Sequence, residues 1–102
     1  MDKIFKALAD SSRRQLLDEL FKRNGQTLSE LCEHLEMTRQ SVTKHLVILE
    51  EANLIIVEYK GRHKFHFLNA APIGEIADRW IGKYQLQRVK ALSDLKKSLE
   101  EE

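Results

Sequence analysis

Side chains that can read DNA bases lie close together between residues 39 and 44. Arginine pairs with guanine O6 and N7, glutamine with adenine N6 and N7, and serine or threonine with several base edges. No acid occurs within residues 37–49, although the 102-residue chain carries 16 acidic residues. The pattern favours contact with DNA over its alternative, an ordinary solvated helix face. The residues are Arg39, Gln40, Ser41, Thr43 and Lys44.

A second basic segment, residues 59–69, is also free of acid. Lys60, Arg62, His63 and Lys64 surround Gly61, the residue that a tight hairpin turn needs. The formal net charge of the whole chain is only +1, so the positive charge of these two segments is offset elsewhere. This division is typical of a protein that meets a polyanion with one face, although a solubilising hairpin is the alternative.

The elements that position the first set form a predicted helix-turn-helix over about 28–52. Thr27 and Glu30 have the spacing of a capping box, which starts a helix at residue 28. Thr38 can cap the second helix, predicted over about 39–52, and Asn53 can adopt the left-handed conformation that ends it. Apolar residues at helical spacing would face the core, namely Leu28, Leu31, Cys32, Leu35, Val42, Leu46 and Leu49.

Two further helices are predicted before this motif. Ile4, Phe5, Leu8 and Ala9 indicate a short first helix. Ser12 and Gln15 have capping-box spacing for the second, which would end near Gly25. Its predicted inward residues are Leu16, Leu17, Leu20 and Phe21.

After residue 53 the pattern changes from helical to extended. A hairpin is predicted over about 54–68, with Phe65 and Phe67 on one face. Pro72 suits the first turn of a final helix, predicted over about 72–99. The expected fold is therefore mainly α with a small β-hairpin wing: a winged helix-turn-helix with a long C-terminal dimerisation helix, in a single domain over 1–102.

Metal and enzyme chemistry find little support in the residue pattern. The one cysteine, Cys32, lies on the apolar stripe, where a small buried hydrophobe is the simplest interpretation. The histidines at 34, 45, 63 and 66 lack the close spacing that zinc sites favour. No nucleophile elbow or phosphate-binding glycine loop occurs. We therefore expect no cofactor, no metal and no catalytic activity.

Three stretches carry a family resemblance: ALADSSRRQLLDEL, TLSELCEHLEMTRQSVTKHLVILEEANLI and VEYKGRHKFHFLN. They resemble the ArsR-type winged-helix repressors of bacteria, in which a glycine usually replaces Asn53. The resemblance implies a homodimeric repressor that binds an operator near its own promoter and releases it upon a signal. The sequence does not identify that signal. Because Thr27 and Ser29 replace the thiols of the family's commonest metal site and the last helix has no histidine, the chain is similar to the metal-independent branch.

The predicted partners are double-stranded DNA, as a palindromic operator, and a second copy of the chain. With no run of apolar residues long enough for a membrane span, we expect a cytoplasmic protein. A winged-helix module for protein–protein contact, or a thiol- or metal-responsive repressor using Cys32, is the alternative. The predicted DNA-binding set is Thr38, Arg39, Gln40, Ser41, Thr43, Lys44, His45, Lys60, Arg62, His63 and Lys64, and the predicted dimer interface is Ile4, Phe5, Leu8, Ile73, Ile76, Trp80, Tyr84, Leu92 and Leu95.

Overall fold

Four helices, a hairpin and a final helical segment follow one another along the chain in the predicted order. The computed structural model describes residues 1–100, with side chains for all of them except 85–87 and 89. Two compact units divide the chain, Met1–Pro72 and a second that begins at Ile73. The first contains α1 (Asp2–Leu8), α2 (Ser11–Lys22), α3 (Leu28–His34), α4 (Arg39–Glu51), β1 (Ile55–Lys60) and β2 (His63–Leu68).

The core of the first unit joins all four of its helices to the base of the hairpin. Its largest fully buried apolar side chains are contributed by α2, α3, α4 and the segment after α4. Each such side chain stabilises the fold by roughly 1.5–3 kcal/mol relative to its exposed state. These side chains are Leu16, Leu20, Leu31, Val42, Leu49 and Leu54.

The predicted helix-turn-helix is confirmed, including the residues that start and end its helices. Thr27 and Glu30 form the reciprocal capping box at α3. The Thr38 hydroxyl accepts a hydrogen bond from the Ser41 N–H at 3.1 Å and caps α4. Beyond α4, Asn53 has a φ of 59°, the left-handed conformation expected there. Four residues therefore separate α3 from α4, a length typical of the motif.

Two predictions for α2 are wrong. The helix begins at Ser11 with Asp10 as its cap, because the Asp10 carboxylate accepts from the Ser12 and Arg13 N–H groups at 2.8 and 3.3 Å. A carboxylate at this end also gains from the helix dipole, which a serine hydroxyl does not. Phe21 is 81% exposed rather than inward, since the core is filled by Leu16, Leu17 and Leu20. The helix ends at Lys22, before Gly25.

The hairpin is antiparallel with a two-residue turn at Gly61 and Arg62, so that Lys60 pairs with His63. Gly61 has the positive φ that this turn requires, 62°. Phe65 and Phe67 share a face, as predicted, but both are only half-buried. The buried residue of β2 is His66, on the opposite face.

The second unit begins within α5 (Ala71–Ile76), which continues into a π-helical turn (Ala77–Ile81) and α6 (Gly82–Glu100). The predicted final helix over about 72–99 therefore contains one π-helical turn, in which the Gly82 N–H bonds to the Ala77 carbonyl, five residues back. At regular α-helical spacing, the apolar residues before this turn (Ile73 and Ile76) and those after it (Leu92, Leu95 and Leu99) would lie about a quarter turn apart around the helix axis. The wide turn adds roughly one residue to the helix, a rotation of the size needed to offset that angle.

Among residues 1–100, every helix is too short or too polar to span a membrane. The assignment of 1–102 to a single domain stays a prediction, and its last two residues lie outside the described part of the chain.

Candidate nucleic-acid interface

Helix α4 turns a polar, basic face to solvent because its opposite face is fixed in the core. Val42, Leu46 and Leu49 are at most 5% exposed. Four exposed side chains of its first half belong to the predicted base-reading set: Arg39, Gln40, Thr43 and Lys44. Ser41, at the edge of this face, is half-buried.

Two members of the predicted set make local hydrogen bonds that define the start of α4. Thr38 uses its hydroxyl as the helix cap, so its contribution to the interface is to orient the first turn. Thr43 donates from Oγ1 to the Arg39 carbonyl at 2.9 Å, which leaves its methyl group to contact a base. Arg39 donates from Nη1 to the Ser29 hydroxyl at 3.2 Å and thereby links α4 to the first turn of α3.

The hairpin presents the second basic segment at its tip. Lys60, Arg62, His63 and Lys64 are all exposed around the Gly61–Arg62 turn. The Lys64 ammonium lies 5.9 Å from the centroid of the Tyr59 ring on the neighbouring strand, a cation–π distance that orients its charge. The wing tip is therefore a compact cluster of positive and titratable groups.

A groove of about 300 Å³ brings the two basic segments together between α4, the start of α3 and the wing. Arg39 and Thr43 line it from α4, and Arg62 and Lys64 line it from the wing. Val47, 48% exposed, adds an apolar contact to the same wall, and Glu50 places one carboxylate at the C-terminal end of α4 in the groove. The groove joins residues far apart in sequence into one surface suited to an anionic backbone and base edges.

One predicted member lies elsewhere. His45 is half-buried, and its Nδ1 is 3.4 Å from Arg13 Nη1 of α2. His45 therefore lies on the side of α4 that contacts α2 and does not line the groove.

Sequence reasoning missed the pair of buried polar residues that holds the wing in place. Gln26 and His66 exchange backbone hydrogen bonds of 3.1 and 2.8 Å, and the His66 ring donates from Nδ1 to the Gln26 carbonyl at 2.9 Å. The Gln26 amide donates to the Glu19 and Arg23 carbonyls at the end of α2. Gly25, with a positive φ, was the available signal, since it marks a backbone that turns sharply just before Gln26.

The surroundings of His66 favour its neutral form. Burial lowers the pKa of His66, and the nearby Lys64 charge lowers it further. The hydrogen bond to Gln26 and the Glu50 carboxylate act in the opposite direction on this pKa, and the net shift is downward. The wing base is therefore built around an uncharged imidazole.

The described residues include no group of three or more histidine, cysteine or acidic side chains placed to hold a metal ion. Cys32 is half-buried on α3 and packs against the core, as its place on the apolar stripe predicts. A thiol in that setting has an apolar neighbourhood rather than the basic one that raises reactivity.

Comparison with known proteins agrees with this architecture. A family model described as a helix-turn-helix domain matches residues 8–58. The chain is 43% identical over 86 residues to the Bacillus subtilis (strain 168) HTH-type transcriptional regulator YuzN, covering 78% of this chain and 94% of that protein. It is 36% identical over 69 residues to the transcriptional repressor SdpR of the same organism, covering 68% and 76%. The crystal structure of an ArsR family transcriptional regulator, RHA00566, superposes with a TM-score of 0.70 at 31% identity, covering 84% of this chain and 87% of that one.

Proposed function

The chain belongs to the ArsR family of helix-turn-helix transcriptional regulators, which are DNA-binding proteins and not enzymes. We propose that α4 reads its operator. The observation that carries this proposal is the exposed, acid-free surface of residues 39–47 of α4 beside the basic wing. Gln40, Thr43 and Lys44 project into the major groove, and Arg39 and Ser41 flank them. Lys60, Arg62, His63 and Lys64 contact phosphates or the minor groove beside it.

The experiment separates base reading from backbone anchoring by comparing two substitutions. Gln40→Ala removes one bidentate base contact per half-site, worth roughly 1–3 kcal/mol, and relaxes the base preference there. Arg62→Ala weakens binding to most sequences alike. Lys22→Ala, which removes an exposed charge outside α4 and the wing, is the control. Selection of binding sites from a random DNA pool measures the preference. An unchanged motif with Gln40→Ala contradicts the assignment of α4.

The functional unit in this proposal is a homodimer that recognises a palindrome. Exposed apolar side chains lie along α6. The extra residue of the π-helical turn would align them with the apolar residues that precede the turn. Leu92, Leu95 and Leu99 are each about three-fifths exposed, a large apolar area for a side of one helix. We assign this side to a second copy, together with Ile73, Ile76, Trp80 and Tyr84. A twofold pair also places two α4 helices in successive major grooves, roughly 34 Å apart.

The first helix contributes less to the proposed interface than its sequence pattern predicts. Ile4 and Leu8 pack against the core of their own unit. Phe5 is 46% exposed, whereas Ile4 and Leu8 are half-buried. We therefore place most of the dimer contact on the last helix.

Two substitutions on α6 test the dimer. Leu95→Glu places a charge within the apolar side, whereas Lys97→Glu places one about 200° around the same helix. Sedimentation equilibrium at micromolar concentration measures the mass of each variant. We expect a dimer for the wild type and for Lys97→Glu, and a monomer for Leu95→Glu. A monomeric wild type that binds its operator tightly contradicts the proposal.

The biological role that this assembly supports is repression of the protein's own operon in the cytoplasm, where bacterial operators lie. A signal ends repression, and the absence of thiols at Thr27 and Ser29 supports a signal other than a metal bound at the start of α3. Protein–protein contact as the sole function is disfavoured by the basic, acid-free surface of residues 39–47 of α4.

A further inference from the structure

The recognition helix is held from behind by an arginine of α2. Arg13 is largely buried, with a side chain that is 13% exposed, and its Nη1 lies 3.4 Å from His45 Nδ1. His45 belongs to α4, on the side away from the groove that faces DNA. This contact joins the DNA-reading helix to the helices behind it.

Other contacts fix the guanidinium of Arg13 in place. Its Nε donates to the Ala7 carbonyl at 2.8 Å, and its Nη2 donates to the Lys6 carbonyl at 3.0 Å. Both carbonyls belong to the last turn of α1. Nη1 is also 3.9 Å from the carboxylate of Asp10, the cap of α2. One planar group thus connects the end of α1, the start of α2 and the middle of α4.

The chemistry of this contact requires an uncharged histidine. A guanidinium has donors only and stays protonated at all relevant pH values. Nδ1 of His45 must therefore be the acceptor, with the ring proton on Nε2. Protonation of His45 removes that lone pair and places two cations within hydrogen-bonding distance.

The charges around the contact do not cancel this repulsion. Lys3 and Lys6 of α1, Arg13 of α2 and Glu51 of α4 line a cavity of about 310 Å³. Asp10 adds a second carboxylate from α2. Protonation of His45 would therefore give four cations and only two carboxylates around the contact. The cations are Lys3, Lys6, Arg13 and His45, and the carboxylates are Asp10 and Glu51.

We propose that Arg13 and His45 are positioning residues that set the orientation of α4, so that operator affinity falls when His45 is protonated. This inference rests on the proposed function, because affinity for DNA is the property it modulates. The sign of the effect distinguishes it from direct DNA contact. A protonated His45 that touched a phosphate would strengthen binding at low pH instead.

The test compares operator affinity at about pH 8 and about pH 6, on either side of the range in which histidine titrates. Fluorescence anisotropy with DNA from upstream of the protein's own gene is the assay. His45→Gln keeps an acceptor for Arg13 but cannot titrate. His34→Gln, which removes an exposed histidine of α3 outside the proposed DNA surface, is the matched control. We expect His45→Gln to bind like the wild type at pH 8.

On acidification, wild type and His34→Gln should each lose roughly three- to tenfold more affinity than His45→Gln, because only they break the Arg13–His45 contact. An equal loss in His45→Gln and wild type, or tighter binding of wild type than of His45→Gln at pH 6, overturns the inference. Failure of the wild type to bind this DNA at pH 8 contradicts the proposed function instead.

A second measurement does not depend on the folding of any variant. The ¹⁵N chemical shifts of the His45 ring in the wild-type protein report which nitrogen carries the proton. Protonation at Nε2 near pH 8 supports the acceptor role of Nδ1, and a proton on Nδ1 overturns it.

Discussion

The close approach of the α2–α3 connection to the wing makes Gly25 the most informative single substitution for the fold. Its φ is +77°, and a Cβ at this position would lie 2.7 Å from Cε1 and 3.0 Å from Cζ of the Phe67 ring. Gly61 has a similar φ of +62°, but a Cβ there would meet no atom within 4 Å. The two glycines share the backbone cost of alanine and differ in the steric one.

Gly61→Ala should therefore cost roughly 1–2 kcal/mol in free energy of unfolding, from the left-handed backbone alone. Gly25→Ala should cost about 2–5 kcal/mol, because displacing the half-buried Phe67 ring adds about 1–3 kcal/mol. Urea unfolding followed by far-ultraviolet circular dichroism measures both. An equal loss in the two variants would refute the claim that the connection touches the wing through Gly25.

Three further predictions concern charge and chemistry. Operator affinity should fall by roughly three to five decades between about 50 and 200 mM salt if a dimer makes six to ten phosphate contacts, and an anisotropy titration showing little change would count against the basic surface. Because the pKa of His66 is lower in the folded state, the unfolded chain binds more protons. The free energy of unfolding should therefore fall as the pH drops from about 6.5 through the lower pKa of the folded state. Urea midpoints at several pH values will measure this fall, which should be less steep in His66→Gln. Stoichiometric zinc, cadmium or arsenite should leave operator binding unchanged in a gel shift, and release by one of them that is lost in Cys32→Ser would make Cys32 a ligand.

Features set by local chemistry could be predicted from the sequence. The Thr27–Glu30 capping box, the Thr38 cap and the left-handed Asn53 each involve residues within one turn of one another. The outward face of α4 followed from its three inward residues and the helical period. The helix-turn-helix was therefore accessible without a structure.

Features set by contacts distant in sequence could not be predicted in this way. Gln26 and His66 are 40 residues apart, and no local pattern links them. His45 has the residue type expected at a DNA surface, and only the packing of α2 behind α4 directs it to Arg13. Phe21 fits the apolar period of α2 but lies beyond the part of that helix that the core covers.

The π-helical turn has a different origin. Apolar spacing alone predicted one regular helix, because residues on both sides of Ala77–Ile81 individually keep helical spacing. Only the quarter-turn offset between the two sets indicates an extra residue, and an offset of that size still fits within one broad apolar face.

Sequence-specific binding to an operator is the most direct test of the proposed role of α4. Labelled DNA from upstream of the protein's own gene is titrated with the wild-type protein at about 150 mM salt, beside a shuffled duplex of the same composition. We predict an affinity for the upstream DNA at least about 10³-fold higher than for the shuffled duplex. Equal affinity for the two duplexes, or binding to neither, would contradict the proposal that α4 reads an operator.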